Sequence, residues 1–302
     1  MGRYLARRLL LSMISLLGLA VLCFLLLRLF PGGPFDEDQA LPAAVVENLK
    51  THYGLNLSLF DQLARFLSHL VKFDFGQSIL YGGESVVSVI AKGMPQTFFI
   101  GSISLVVSVS FGFFLGLISF FSSTSRLSHF IQILFLSAPT LFLGPFLIYL
   151  FGFHWNLLPI TLNHGWVSYI LPVIVLSLRP SANMARLIMN AMTETLAEPW
   201  VRTAKAYGFS QQTIILKYAL RASLIPFLSY MGPLVAGVLS GSLLVEMIFN
   251  IQGLGTLFVE SLLNRDYSLV VGLTLLFGFV LITANFIFDL IMYKMDSRLE
   301  KL

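Results

Sequence analysis

Few side chains in this 302-residue chain could do acid–base, metal or nucleophilic chemistry. Only 11% of its residues are Asp, Glu, Lys or Arg, and it has five histidines and one cysteine, Cys23. A lone cysteine permits neither an internal disulfide nor a cysteine metal cluster. His52, His69, His129, His154 and His164 are scattered through loop or interface positions and are read as solvated. With no His, Glu or Asp paired at metal spacing, an intramembrane enzyme lacks its machinery. There is no Gly-x-x-x-x-Gly-Lys-Ser/Thr loop, so the chain does not cradle a nucleotide by that means. Glu246 and Asp289 fall inside apolar runs, where an ionisable residue is a functional suspect. Both lie near the ends of their runs, where they can be solvated or paired, and neither sits deep enough for a central proton relay. No basic stripe with interleaved aromatics offers a nucleic-acid surface.

The densest pattern of polar and aromatic residues is Ala197-Glu198-Pro199-Trp200-Val201-Arg202-Thr203-Ala204-Lys205-Ala206-Tyr207-Gly208-Phe209-Ser210. Pro199 suits a first helical position, where its missing N–H is no loss. Gly208 suits the left-handed residue just past a helix end. Trp200, Ala204 and Tyr207 share one face at i, i+4 and i+7, while Arg202 and Lys205 point elsewhere. Ser210 caps a second helix leading through Lys217 and Arg221. The spacing predicts a two-turn amphipathic helix, stopped sharply at both ends and joined to a longer helix. Such a knob suits force transmission from a partner; it equally suits a helix lying on lipid headgroups.

The elements that carry this segment are set by composition. With 57% apolar residues and 28 Phe, a water-soluble globule would lack the polar residues its exterior needs. Disorder is excluded by low charge and abundant Leu, Phe and Ile. The fold class is therefore an all-α polytopic membrane protein. A spanning helix takes roughly 20 apolar residues, and six runs qualify or nearly do: 9–27, 98–121, 130–151, 166–178, 222–249 and 269–293. The fourth is short and needs to continue through Arg179 to Ile188, with Pro180 tolerated inside it. The first, preceded by Arg3, Arg7 and Arg8, is too long for a signal peptide and has no cleavage site after it, so it reads as an uncleaved span. Thirteen Lys and Arg fall on one side of the six runs and five on the other, four of the five in one long loop. Both termini are thus expected in the cytoplasm. The chain divides into residues 1–30 (terminal segment and first span), an external loop at 31–95, and a five-span core at 96–293. Within that core, 189–221 is the cytoplasmic segment, and 294–302 is a cytoplasmic tail.

Two further patterns concern packing. Ser104, Ser108, Gly112 and Gly116 recur every four residues, making a stripe of small side chains on the second span. Gly232, Gly237 and Gly241 mark the fifth, with Ala236 and Ser240 beside them. Such faces serve close helix packing or the wall of a substrate pathway. In the external loop, Ser58 caps a helix whose Phe60, Leu63, Ala64, Leu67, Leu70 and Val71 form an amphipathic pattern ending before Gly76. Its apolar face is expected on the membrane surface, on the spans, or against a partner.

The 197–210 segment resembles the cytoplasmic motif of permease subunits in binding-protein-dependent ABC importers. Trp200-Val201-Arg202-Thr203-Ala204-Lys205-Ala206-Tyr207-Gly208 is similar to the oligopeptide and dipeptide branch, as is Tyr218-Ala219-Leu220-Arg221-Ala222-Ser223-Leu224-Ile225-Pro226. The resemblance extends through Arg7-Arg8, Leu25 to Gly32, Phe73-Asp74-Phe75-Gly76-Gln77-Ser78, Pro95-Gln96-Thr97, Ser137-Ala138-Pro139-Thr140, Gly253-Leu254-Gly255 and Asn264-Arg265-Asp266-Tyr267, and is to the first permease of the pair. The chain departs from the wider motif at Arg202 and Arg221, where both residues fit the peptide branch. It departs also at Glu198-Pro199, and at Tyr207, which stands where a basic residue is commoner.

The resemblance implies half of a translocation pathway in the bacterial cytoplasmic (inner) membrane, paired with a second, related permease. It implies two ATP-binding subunits, which would hold ATP and Mg, and an extracytoplasmic substrate-binding protein; this chain itself would bind no cofactor. Peptide, nickel chelate and small glycopeptide importers share the pattern. The residues it assigns to ATPase coupling are Glu198, Trp200, Arg202, Thr203, Ala204, Lys205, Tyr207 and Gly208. The competing reading is an ion- or proton-coupled carrier or channel without an ATPase, which would want central carboxylates or histidines.

Overall fold

The computed structural model describes residues 2–29, 57–121, 125–160 and 162–295. Residues 31–56 of the external loop, with Lys50 and His52, and the tail carrying Arg298 and Lys301 lie outside the described residues. Among those described, the chain is helical, with a single isolated bridge pairing Gln77 and Ser85. In chain order the helices are α1 (Gly2–Leu29), α2 (Leu59–Val71), α3 (Val86–Phe121), α4 (Ser125–Ser137), α5 (Thr140–Leu147) and α6 (Ile170–Ala197). They continue as α7 (Pro199–Ala206), α8 (Gln211–Thr213), α9 (Leu220–Leu239), α10 (Leu243–Ile248), α11 (Leu254–Leu263) and α12 (Tyr267–Met295). Among the described residues five helical stretches are long and apolar enough to cross a membrane, and six if the bent pair at 126–137 and 140–154 is counted as one span.

The bent pair is the third apolar run, which the sequence presents as one straight span at 130–151. Instead α4 and α5 meet at 106°. Pro139 has no N–H to donate and pushes the residue before it out of helical geometry, so the helix cannot pass through. The fourth run does continue as expected, α6 passing Pro180 and ending at Ala197. The fifth run, 222–249, falls within one stretch, Gln211–Ile248, that is long and apolar enough to cross. Inside it the helix pauses, α9 stopping at Leu239, Gly241 taking a left-handed φ of +88°, and the Ser242 side chain capping α10 by accepting from Val245 N–H. Below α9, a π-helical stretch over Ile214–Ala219 joins it to α8.

Several helices end in one local motif. At α2, α7, α10 and α11 the residue after the cap is left-handed: Phe73, Gly208, Asn250 and Arg265. The next N–H then bonds back to a carbonyl of the last turn, Asp74 to His69, Phe209 to Ala204, Ile251 to Glu246 and Asp266 to Ser261. This satisfies carbonyls that a helix end otherwise leaves bare.

The helices gather into two compact units. One comprises Met1–Pro95 and Thr256–Phe279. In it Ala20 of α1 is buried with Val271 and Leu275 of α12, and Phe66 and Leu70 of α2 pack onto that cluster. Of the three occupants expected for α2's apolar face, these two residues contact the spans. A turn over 73–85 leads into α3, with Gly76, Gly82 and Gly83 at positive φ. The other unit comprises Gln96–Gly255 and Val280–Leu302. Its larger core places Met184, Ile188 and Met192 of α6 against Phe227, Leu234 and Val238 of α9, with Val109 and Phe113 of α3 packed on them.

Candidate functional site

The small-residue stripe of α3 lies against α6. A Cβ on Gly112 would stand 2.7 Å from the Ser181 carbonyl oxygen and 2.8 Å from Met184 Cβ. One on Gly116 would stand 2.9 Å from the Ala185 carbonyl oxygen. Ser108 donates to the Ser177 carbonyl at 3.3 Å, and both Ser104 and Ser108 are fully buried. Two backbones meet here because no side chain separates them, as small-residue faces allow in lipid. The fifth-span glycines do not share one role. Gly232 meets Asn285 of α12, whereas Gly237 is exposed with nothing within 4 Å of its would-be Cβ. Gly241 is not a packing glycine of a continuous helix; it occupies the break between α9 and α10 and faces Glu246. Helical spacing alone could not separate these three.

The knob between the fourth and fifth spans is α7. Glu198 is extended, φ −66° and ψ 146°, and serves at once as the last cap of α6 and the first of α7. A residue before proline is disfavoured in the helical region, so Pro199 both ends one helix and begins the next. The Glu198 carboxylate accepts from Trp200 Nε1 at 2.8 Å. The Trp200 ring lies 5.9 Å from that of Tyr218, and Tyr218 is edge-on to Phe209 at 6.3 Å. This aromatic row ties α7 to the π-helical stretch. Ala204 is half-buried, but the most buried residue of α7 is Val201, 4% exposed, which the i, i+4, i+7 face omits. Arg202, Thr203, Lys205 and Gly208 are exposed, and Tyr207 is 80% exposed. At the far end Gly208 has φ +83° and Ser210 caps α8 by accepting from Thr213 N–H. The knob therefore has a buried anchor, fixed ends and a free outer face.

Two buried carboxylates organise the loops; the sequence left Glu246 open between solvation and pairing and singled out no role for Asp266. Glu246, 3% exposed, accepts from Thr97 Oγ1 and from Gly255 N–H, each at 2.8 Å. Thr97 Oγ1 in turn accepts from Leu254 N–H at 2.8 Å. Of the two alternatives open for Glu246, the structure shows pairing. A Cβ on Gly253 would fall 2.4 Å from Thr97 Oγ1 and 2.6 Å from the Glu246 carboxyl carbon, so the Gly253-Leu254-Gly255 motif leaves room for that pair. The readable signal was Pro95-Gln96-Thr97 together with this motif and a glutamate inside an apolar run. Asp266, fully buried, accepts from Ser78 Oγ at 2.5 Å and Leu80 N–H at 3.1 Å, and caps α12 through Leu269 N–H at 3.1 Å. Two motifs 188 positions apart in the chain thus meet at one carboxylate.

Outside the spans, electrostatics are local. Gly76 N–H and the His69 ring beside Asp74 hold its carboxyl below the usual value. Lys92 and the Ser88 hydroxyl do the same for Glu84. Burial, followed by its bond to the Glu260 carboxylate at 3.0 Å, pushes the Tyr81 hydroxyl up to about 12. Among the described residues no three His, Cys, Asp or Glu are grouped to hold a metal.

The described residues thus form a helical, multi-pass arrangement with a close small-residue seam and a short capped helix between two spans. Residues 108–301 match the model of a family described as the binding-protein-dependent transport system inner membrane component. Over 305 residues the chain is 36% identical to the oligopeptide transport system permease protein OppB of Haemophilus influenzae, covering 99% of this chain and 100% of that one. It is 35% identical to the dipeptide transport system permease protein DppB of Bacillus subtilis over 303 residues, covering 99% and 98%. Its fold is similar to that of a chain in the crystal structure of an amino acid ABC transporter with histidines (TM-score 0.56, 15% identity, 69% of this chain and 94% of that one). The chain belongs to the binding-protein-dependent inner-membrane component family, and is an ABC importer permease. It is a multi-pass inner-membrane subunit rather than an enzyme, and ATP hydrolysis belongs to a partner ATPase.

Proposed function

We propose that this chain is the first of two related permeases in an importer of peptides or related small solutes, and that α7 is the lever through which the ATPase works it. Peptide cargo is supported by the relatives, named for oligopeptide and dipeptide transport, across 98–100% of their length. In this reading both termini and α7 face the cytoplasm, a second permease completes the pathway, and an extracytoplasmic binding protein delivers solute. Two ATP-binding subunits hold ATP and Mg and close on each other. Glu198, Trp200, Arg202, Thr203, Ala204, Lys205, Tyr207 and Gly208 form the gripped element. Motion of α7 then tilts the fourth span, to which Glu198 alone joins it, and the fifth, reached through residues 207–210 and the helical turns of 211–219. Differential binding of nucleotide to the two arrangements drives alternate access.

The observation that carries this reading is a helix anchored by Val201, fixed at both ends, and presenting an 80% exposed Tyr207. A lever must be stiff and must offer something to hold. The test is Gly208→Val. No heavy atom lies within 4 Å of a Cβ there, so the substitution acts through the backbone, where φ is +83°. A left-handed L-residue costs roughly 1–2 kcal/mol, more when β-branched. The variant is expected to insert at the wild-type level and lose ATP-coupled uptake, while Gly208→Asn retains part of it. Full uptake by Gly208→Val would overturn the proposal.

A further inference from the structure

The helix α2 carries two apolar strips. Leu63, Phe66 and Leu70 make the half-buried one, and Phe66 and Leu70 pack on α1 and α12. Beside it, Phe60, Ala64, Leu67 and Val71 recur at i, i+4, i+7 and i+11, a second continuous strip on the same helix. Leu67 within it is half-buried, while Ala64 is exposed, Phe60 is 80% and Val71 81% exposed. Asp61, Arg65, Ser68, His69 and Lys72 occupy the opposite flank and are exposed too.

Depth identifies what covers the open strip. The Phe66 ring stacks on that of Phe24 at 5.5 Å, and Phe66, Leu70 and Phe75 pack on Ala20, Val271 and Leu275. The apolar window of α1 ends at Leu26, and α12 begins at Tyr267. The contacted residues therefore lie two to eight positions inside the spans, about 3–12 Å at the helical rise. A helix whose side chains reach that level is beside acyl chains, since the polar layer over each hydrocarbon face is only about 5–8 Å thick. Phe73 adds an independent sign. It sits at φ +57°, a position that glycine or asparagine usually fills, and is 79% exposed. A large aromatic held there in water has no stabilising contact to offset its backbone conformation; in an interfacial layer it has one.

We propose that α2 is an interfacial membrane helix, with Phe60, Ala64, Leu67, Val71 and Phe73 seated at the acyl-chain boundary of the leaflet on their own side of the bilayer. Lipid is the occupant of this strip, and the Arg65 and Lys72 flank faces headgroup phosphate and water. Interfacial helices lie about 5–10 Å into that boundary, which matches the depth of the contacts. Residues 57–75 are thereby held at the membrane beside the Phe24 end of α1 and the Tyr267 end of α12.

The test uses the full chain assembled with its partner subunits in proteoliposomes. In a Cys23→Ala background, which removes the chain's one cysteine, spin labels are placed singly by Phe60→Cys, Val71→Cys and Arg65→Cys. Collision with oxygen, which concentrates in acyl chains, is compared with collision with a water-soluble nickel chelate. Labels at 60 and 71 are expected to favour oxygen several-fold, and the label at 65 to favour the chelate. Equal chelate access at 60, 71 and 65 would overturn the proposal. So would labels at 60 and 71 that are shielded only after the binding protein is added, since the strip would then be a protein-docking face. Should a cysteine variant fail to assemble, Phe60→Trp reports the same fact by difference from the assembly without that substitution, since the chain already holds three tryptophans. Added emission that lipids brominated near the headgroup end quench supports lipid burial, and added emission they leave unquenched refutes it.

Discussion

The seam between α3 and α6 gives the most quantitative prediction. Gly112→Ala adds a single methyl, whose carbon would stand 2.7 Å from the Ser181 carbonyl oxygen and 2.8 Å from Met184 Cβ. Non-bonded carbons prefer about 3.5–4.0 Å, so the two helices must part by roughly 1 Å or bend. Overpacking of this kind costs about 1–3 kcal/mol. The parting also lengthens the bond from Ser108 to the Ser177 carbonyl, already 3.3 Å. Gly237→Ala is the matched control, because nothing lies within 4 Å of its Cβ. There alanine relieves the helix of glycine's entropy loss, a gain of up to about 1 kcal/mol. Thermal melting of a fluorescent-tagged chain in mild detergent reads both. Gly112→Ala is expected several °C below wild type, at about 2–4 °C per kcal/mol, and Gly237→Ala at or above it. Equal melting of Gly112→Ala and wild type, or a larger loss at Gly237, would refute the packing argument.

Removing the Glu246 carboxylate with Glu246→Ala leaves Thr97 Oγ1 and Gly255 N–H without that acceptor, at about 1–3 kcal/mol for each buried donor. Melting is expected in the order wild type, Glu246→Gln, Glu246→Ala, and an alanine variant as stable as wild type would contradict the pairing. The Tyr81 hydroxyl, raised from 10 to about 12 in the folded chain, holds its proton more tightly folded than unfolded. Its contribution to stability is complete below about pH 10 and is lost as pH climbs toward 12. In an ultraviolet titration, Tyr81→Phe is expected to delete absorbance from the limb near pH 12; a deletion centred at pH 10 would count against the burial of Tyr81 and its contact with Glu260.

What the sequence made legible was local. Pro199, Gly208, Ser210 and Ser58 act on their own backbone within one turn, and each does so in the structure. The spans were legible because an apolar run of sufficient length has few alternatives in lipid. Direction was not: Pro139 lay inside a run whose hydropathy is indifferent to a 106° bend. The Glu246 and Asp266 clusters were hidden because their partners, Thr97 and Ser78, are 149 and 188 residues away. Spacing likewise shows that Gly237 and Gly241 lie on the fifth span, but not that one faces open space and the other ends a helix. Val201 escaped because a two-turn helix has too few positions to reveal which face is anchored.

In the proposed cycle an ATPase outside this chain drives solute through the permease by way of α7. Uptake of a labelled dipeptide into proteoliposomes, holding the permease pair and binding protein with or without the ATP-binding subunits, tests it most directly. Uptake that requires those subunits and hydrolysable ATP is the predicted result. Full-rate uptake in their absence would contradict it.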